Sequence, residues 1–144
     1  MAHIIELRNF SDPRGVLNVA QNQIPFDIKR VYWIYGVPSD VRRGGHRHHK
    51  SSQALICLGG SCSVFSNDGE TQQHFVLDAP NKVLIVEPKD WHIMYDFSEQ
   101  ATLLDRCTAP GNRARPGCPR RRPRPPRYWR PASGSRRAGA PCRP

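Results

Sequence analysis

Arg43-Gly44-Gly45-His46-Arg47-His48-His49, answered on a later strand by Pro88-Lys89-Asp90-Trp91-His92, is the stretch that decides how this chain is read. On extended backbone, residues two apart share a face, so His46 and His48 project together while Arg47 and His49 turn the other way, toward solvent. A third imidazole, His92, arrives from elsewhere in the sequence. Imidazoles converging from separate strands build a polar site inside a β-barrel, and histidine is the side chain that exchanges protons near neutral pH. The pattern predicts an all-β domain with a proton-transfer site in its interior.

Outward from that stretch, the sequence breaks into short apolar runs separated by turn residues, with no helical period sustained along it. Nine runs read as strands: Ile4–Leu7, Val16–Val19, Ile28–Tyr35, Gln53–Leu58, Cys62–Phe65, His74–Leu77, Val83–Val86, His92–Phe97 and Thr102–Leu104. Gly59-Gly60 and Asn67-Asp68-Gly69 accept positive φ at little cost and are expected to close hairpins, while Gly15, Pro80 and Pro88 mark other breaks. Alternation along Ile28–Tyr35 puts Arg30 and Tyr32 on one face, expected to be a site wall. Val31, Trp33 and Tyr35 fall on the other, expected to pack. No repeat, phosphate-binding loop or dinucleotide fingerprint is present in this body.

Charge divides the chain in two. The formal net charge of +10 averages a body, residues 1–105, with ten basic and twelve acidic side chains, and a tail, residues 106–144, with twelve arginines, no lysine and no acid. Proline, like charge and a lack of aliphatic side chains predict disorder for that tail. Arginine clusters neutralise phosphates, and Tyr128 and Trp129 are available for stacking. Arginine without lysine is also what a GC-rich frame translated out of register yields, and this reading is preferred, so nucleic acid is not expected as a partner. The cysteines, Cys57, Cys62, Cys107, Cys118 and Cys142, are odd in number and contain no CxxC pair. With no apolar segment long enough to span a bilayer and no signal-like start, the expected home is the reducing cytoplasm.

The motifs together carry a resemblance. HxH followed by Gly59-Gly60, with a proline and a histidine on a later hairpin, resembles the cupin superfamily. Adding Asp12-Pro13-Arg14-Gly15, Pro25-Phe26-Asp27-Ile28-Lys29-Arg30-Val31-Tyr32, Gln53, Asp68-Gly69 and Trp91-His92-Ile93-Met94-Tyr95-Asp96-Phe97-Ser98 makes residues 4–104 similar to the sugar-nucleotide 3,4-ketoisomerases, the WxcM-like or FdtA/QdtA type. The resemblance departs at two places. His49 follows the second histidine where the family usually has lysine, and the Arg/Pro tail replaces a further strand segment and a short acidic, aromatic helix.

The resemblance implies a single jelly-roll-like cupin barrel that moves the keto group of a TDP-4-keto-6-deoxyhexose from C4 to C3 through an enediol, for deoxyamino-sugar synthesis. It also implies a homodimer. His48 is the first choice for base and His46 for its partner or proton shuttle, with the order of the two left open. Tyr32 is a candidate acid or oxyanion donor, with a core tyrosine as the alternative. Arg43, Arg30 and Arg14 are candidates for the diphosphate. Gln53 is a candidate for a sugar hydroxyl or the 4-keto oxygen through its amide donor, and His92 for orienting substrate. Metal-dependent cupins carry glutamate where this chain has Gln53, so no metal and no other cofactor is expected, although three imidazoles alone can hold zinc. Two rivals are a keto-sugar 3,5-epimerase and a metal-dependent cupin. A third, outside catalysis, is a sugar-binding or nucleic-acid-binding module.

Overall fold

Eleven strands and no helix make up the computed structural model, which describes residues 1–108. In chain order they are β1 (His3–Glu6), β2 (Asn9–Asp12), β3 (Gly15–Asn18), β4 (Arg30–Tyr35), β5 (Arg43–His46), β6 (Gln53–Gly59), β7 (Cys62–Asn67), β8 (Gln72–Leu77), β9 (Lys82–Val86), β10 (Trp91–Tyr95) and β11 (Thr102–Cys107). They form a five-stranded sheet, β1-β9-β6-β11-β4, and a four-stranded sheet, β5-β10-β7-β8, while β2 and β3 pair only with each other. Every pairing is antiparallel. No helix among the described residues is long and apolar enough to cross a membrane.

The core explains why two of the strands are apolar without alternation. Leu55, Cys57, Leu84, Val86 and Leu103 of the five-stranded sheet join Val64, Leu77 and Met94 of the other in one buried cluster. The opposite side of the same sheet, Ala54, Ile56, Val83 and Ile85, is covered by Leu7, Ile24, Ala20 and Phe26. A sheet buried on both sides needs continuous hydrophobic runs, and Ala54-Leu55-Ile56-Cys57 and Val83-Leu84-Ile85-Val86 are such runs. Each fully buried aliphatic side chain contributes about 1.5–3 kcal/mol.

The all-β expectation holds, with four local corrections. Two strands lie outside the nine expected: β2 is exposed throughout with Phe10 as its one apolar residue, and β5 contains two glycines, so neither carries a strand-like pattern. Gly59-Gly60 does not close a hairpin, because β6 and β7 lie in different sheets and the turn carries the chain from one to the other. Asn67-Asp68-Gly69 does close one, between β7 and β8, with Asn67 Oδ1 accepting from Gly69 N at 2.7 Å and Asp68 Oδ1 from Thr71 N at 2.8 Å. On β4, Arg30 and Tyr32 turn inward as expected, but the face expected to pack is open, with Trp33 61 % and Tyr35 70 % exposed. Finally, β11 continues past Leu104 to Cys107, whereas composition puts the start of the tail at residue 106. The remainder of that tail, from residue 109, lies outside the described residues.

Candidate active site

Strand β5 reaches its place by backbone that only glycine tolerates well. Gly44 and Gly45 have φ of 83° and 73°, and the β5–β10 register shifts between His92 and Ile93. A Cβ on Gly44 would lie 3.0 Å from the carbonyl oxygen of His92 and 3.1 Å from Met94 Cε. Irregularities of this kind re-aim side chains, and here His46 is set opposite His92 with ring centroids 5.4 Å apart. The strand ends at His46, yet His48 beyond it returns to the same side. Its Nε2 lies 3.2 Å from His46 Nε2, and its ring centroid 6.2 Å from that of His92. Of two facing imidazole nitrogens, one must carry the hydrogen and the other the lone pair, so the pair is locked in complementary tautomers and can pass a proton.

His92 is held neutral. Burial comes first, and the proximity of His46 and His48 adds to it, lowering its pKa from 6.5 to about 4. Its Nδ1 is buried and has no hydrogen-bond partner among the described residues.

A second cluster comes from three neighbouring strands in register. β11 places Asp105 opposite Tyr32 of β4, and Cys107 opposite both Arg30 of β4 and Gln53 of β6. The Tyr32 hydroxyl donates to Asp105 Oδ2. Gln53 Nε2 donates to the same oxygen at 2.6 Å and reaches the Tyr32 hydroxyl at 3.3 Å, while the Cys107 thiol donates to Asp105 Oδ1 at 3.3 Å. Arg30 stacks over the Tyr32 ring with Cζ 4.7 Å from its centroid. Burial pushes the Asp105 carboxyl upward. Burial also raises the Tyr32 hydroxyl, and the Asp105 charge adds to the rise. Tyr32 therefore stays protonated at neutral pH.

His46, His48 and His92 are thus brought together, and so are Tyr32, Arg30 and Gln53; by sequence motif Gln53 belongs with the histidines. Arg43 and Arg14 stand elsewhere. Arg43 is exposed and lines a separate groove of about 250 Å³ with Trp33 and Val41. Arg14 sits at the β2–β3 turn, paired with Asp12 at 2.6 Å. The cavity that His48 lines, about 610 Å³, is rimmed by Arg47, His49, Lys89 and Glu87 with Met1 and Pro88. Arg47 and His49 are exposed, as alternation requires, but they stand at this rim. Asp105 is the residue that sequence reasoning missed. Its signal is a single acid alternating with Leu103 and Cys107 in an apolar strand, readable once that strand is extended beyond Leu104. Among the described residues no three histidine, cysteine or carboxylate side chains are grouped as metal ligands.

An antiparallel β-sandwich carrying a hydrogen-bonded HxH pair, a glutamine in place of the metal-binding acid and a neutral histidine from a later strand is a cupin of the proton-transferring kind. The chain belongs to the FdtA family (WxcM-like, C-terminal), whose model matches residues 1–109. It is 42% identical over 103 residues to the TDP-4-oxo-6-deoxy-alpha-D-glucose-3,4-oxoisomerase of Aneurinibacillus thermoaerophilus, an overlap covering 70% of this chain and 74% of that protein. The 3,4-ketoisomerase from Helicobacter canadensis superposes with a TM-score of 0.75 at 35% identity, over 78% of this chain and 86% of that one. QdtA from Thermoanaerobacterium thermosaccharolyticum, solved as a histidine-to-asparagine variant with TDP-4-keto-6-deoxyglucose, gives 0.73 at 33% identity, over 78% and 83%. The rmlC epimerase of Mycobacterium tuberculosis is more distant, with a TM-score of 0.68 at 17% identity, a likeness of fold alone. The chain is an isomerase of the 3,4-ketoisomerase type.

Proposed function

We propose that this chain moves the ketone of a TDP-4-keto-6-deoxyhexose from C4 to C3, with His48 as the base. The observation that carries the assignment of His48 is that it lines the cavity while its Nε2 is hydrogen-bonded to His46. His48 removes the C3 proton, which is acidic because it lies beside the ketone. The C–H electrons form the C3=C4 bond, and the C4 oxygen gains a proton to give the enediol. The C3 hydroxyl then loses its proton, C3=O forms, and a proton is delivered to C4. Across the 3.2 Å link, His46 steadies the charge that His48 acquires and relays its proton.

Tyr32, still protonated, is the candidate donor to the developing oxyanion once its single hydrogen turns from Asp105 to the substrate. Arg47 and Lys89 at the rim of the cavity supply positive charge for the diphosphate, a role that sequence motif gives to Arg43. A homodimer and a cytoplasmic setting belong to the same reading. The open apolar face of β4 supports the first, and the free thiols of Cys57, Cys62 and Cys107 support the second.

Incubation with TDP-4-keto-6-deoxyglucose in deuterated buffer, followed by NMR, is the test. Solvent exchange at C3 and a 3-keto product are expected, both reduced about 100-fold or more in His48→Asn, the lower range for loss of a general base. Exchange at C5 instead identifies an epimerase, and no exchange by folded protein overturns the proposal.

A further inference from the structure

We infer that Asp105 is a positioning residue that makes Gln53 a hydrogen-bond acceptor for a hydroxyl of the bound sugar. This rests on the ketoisomerase reading for the nature of the ligand, but not on which atoms of it react.

Asp105 is surrounded by donors. Its carboxyl is 2% exposed, and three donors aim at its two oxygens: the Tyr32 hydroxyl and Gln53 Nε2 at Oδ2, and the Cys107 thiol at Oδ1. That is the environment of an acceptor, so the side-chain amide of Gln53 must turn its NH2 toward Asp105. The consequence falls on the other end of the amide. Gln53 is 1% exposed and its Oε1 is buried with no partner among the described residues. An unpaired buried carbonyl is costly, and a ligand O–H relieves that cost where a ketone oxygen cannot. Gln53 therefore selects a hydroxyl. The expectation that its amide donates to the 4-keto oxygen is reversed, because Asp105 and the Tyr32 hydroxyl oxygen have already taken the two amide hydrogens.

Asp105→Leu tests this with nearly unchanged volume. Because the Tyr32 hydroxyl and Gln53 Nε2 share one carboxyl oxygen, the leucine removes the acceptor of both at once, and Gln53 is no longer held with its NH2 turned away from the ligand. Calorimetric titration is made with TDP-glucose, which has sugar hydroxyls but no ketone to react, and with TDP. The substitution is expected to weaken TDP-glucose by about 10-fold or more, the scale of a hydrogen bond replaced by an unsatisfied one, and to leave TDP unchanged. The combined Asp105→Asn, Gln53→Glu exchange keeps the bond between the two positions with donor and acceptor swapped. It restores an acceptor toward the ligand and is expected to regain most of the lost TDP-glucose affinity.

A second readout separates positioning from mere support: Gln53→Leu, which leaves Asp105 in place, is expected to lose TDP-glucose affinity and keep that for TDP to the same extent as Asp105→Leu. Equal losses for TDP and TDP-glucose, or a folded double variant that fails to recover, overturn the inference. If Asp105→Leu does not fold, the double variant alone decides. Binding as expected by a protein that gives no exchange at C3 leaves this inference standing and removes the ketoisomerase proposal.

Discussion

At the scale of single residues, His92 carries a consequence for pH. In the folded chain its pKa is about 4, against 6.5 for the ordinary imidazole. Between those values the unfolded chain binds a proton that the folded chain refuses, so stability is complete above about pH 6.5 and falls as the pH drops toward 4. The full effect is on the order of 3 kcal/mol, from about 1.4 kcal/mol per pKa unit. Denaturant unfolding at a series of pH values is expected to show this loss, and His92→Gln to flatten it. An unchanged slope in the variant assigns the acid sensitivity to another group. The neutral ring is also what the chemistry requires, since a charged His92 beside His46 and His48 would oppose protonation of the base.

At the scale of elements, β5 is a poor strand by composition and a necessary one by position. Arg43-Gly44-Gly45-His46 has little to hold it in a sheet except β10, and β10 is also what fixes His46 against His92. Gly44→Ala puts a methyl against the His92 carbonyl at 3.0 Å on backbone with φ of 83°. The expected cost is about 1–3 kcal/mol of stability, seen as a lower Tm, with a larger fractional loss in kcat than the Tm shift alone produces. A methyl accommodated without either effect means that β5 can shift without disturbing the histidines. In β11 the composition is favourable and the position supplies the chemistry. Its alternation of Leu103, Asp105 and Cys107 sets a buried acid between strands β4 and β6, and the register aligns Asp105 with Tyr32 and Cys107 with Gln53.

At the scale of the whole molecule, the described chain leaves apolar surface uncovered. Val31, Trp33 and Tyr35 lie on the open face of β4, which ends the five-stranded sheet, while Val16 and Leu17 are exposed on the β2–β3 hairpin. Edge strands with unpaired backbone groups and exposed aromatic side chains are suited to a second copy. Light scattering of the full chain is expected to give a dimer, and Trp33→Lys to shift it toward monomer. A wild-type monomer would leave the exposed face without a partner and remove the homodimer from the proposal.

What the sequence determined by itself was local and periodic. Two-residue alternation paired His46 with His48 and Arg30 with Tyr32, continuous apolar runs marked β6 and β9, and Asn67-Asp68-Gly69 marked a hairpin, because each depends only on neighbours along the chain. Tertiary structure decided the rest. It alone set His92 against the HxH pair, gave β5 its place, and separated Arg43 from the cavity while putting Arg47 and Lys89 at its rim. It also made Asp105 the partner of Tyr32 and Gln53, an arrangement created by strand register between segments far apart in sequence. Periodicity tells a side chain which way to face, but only the pairing of distant strands tells it what it will meet.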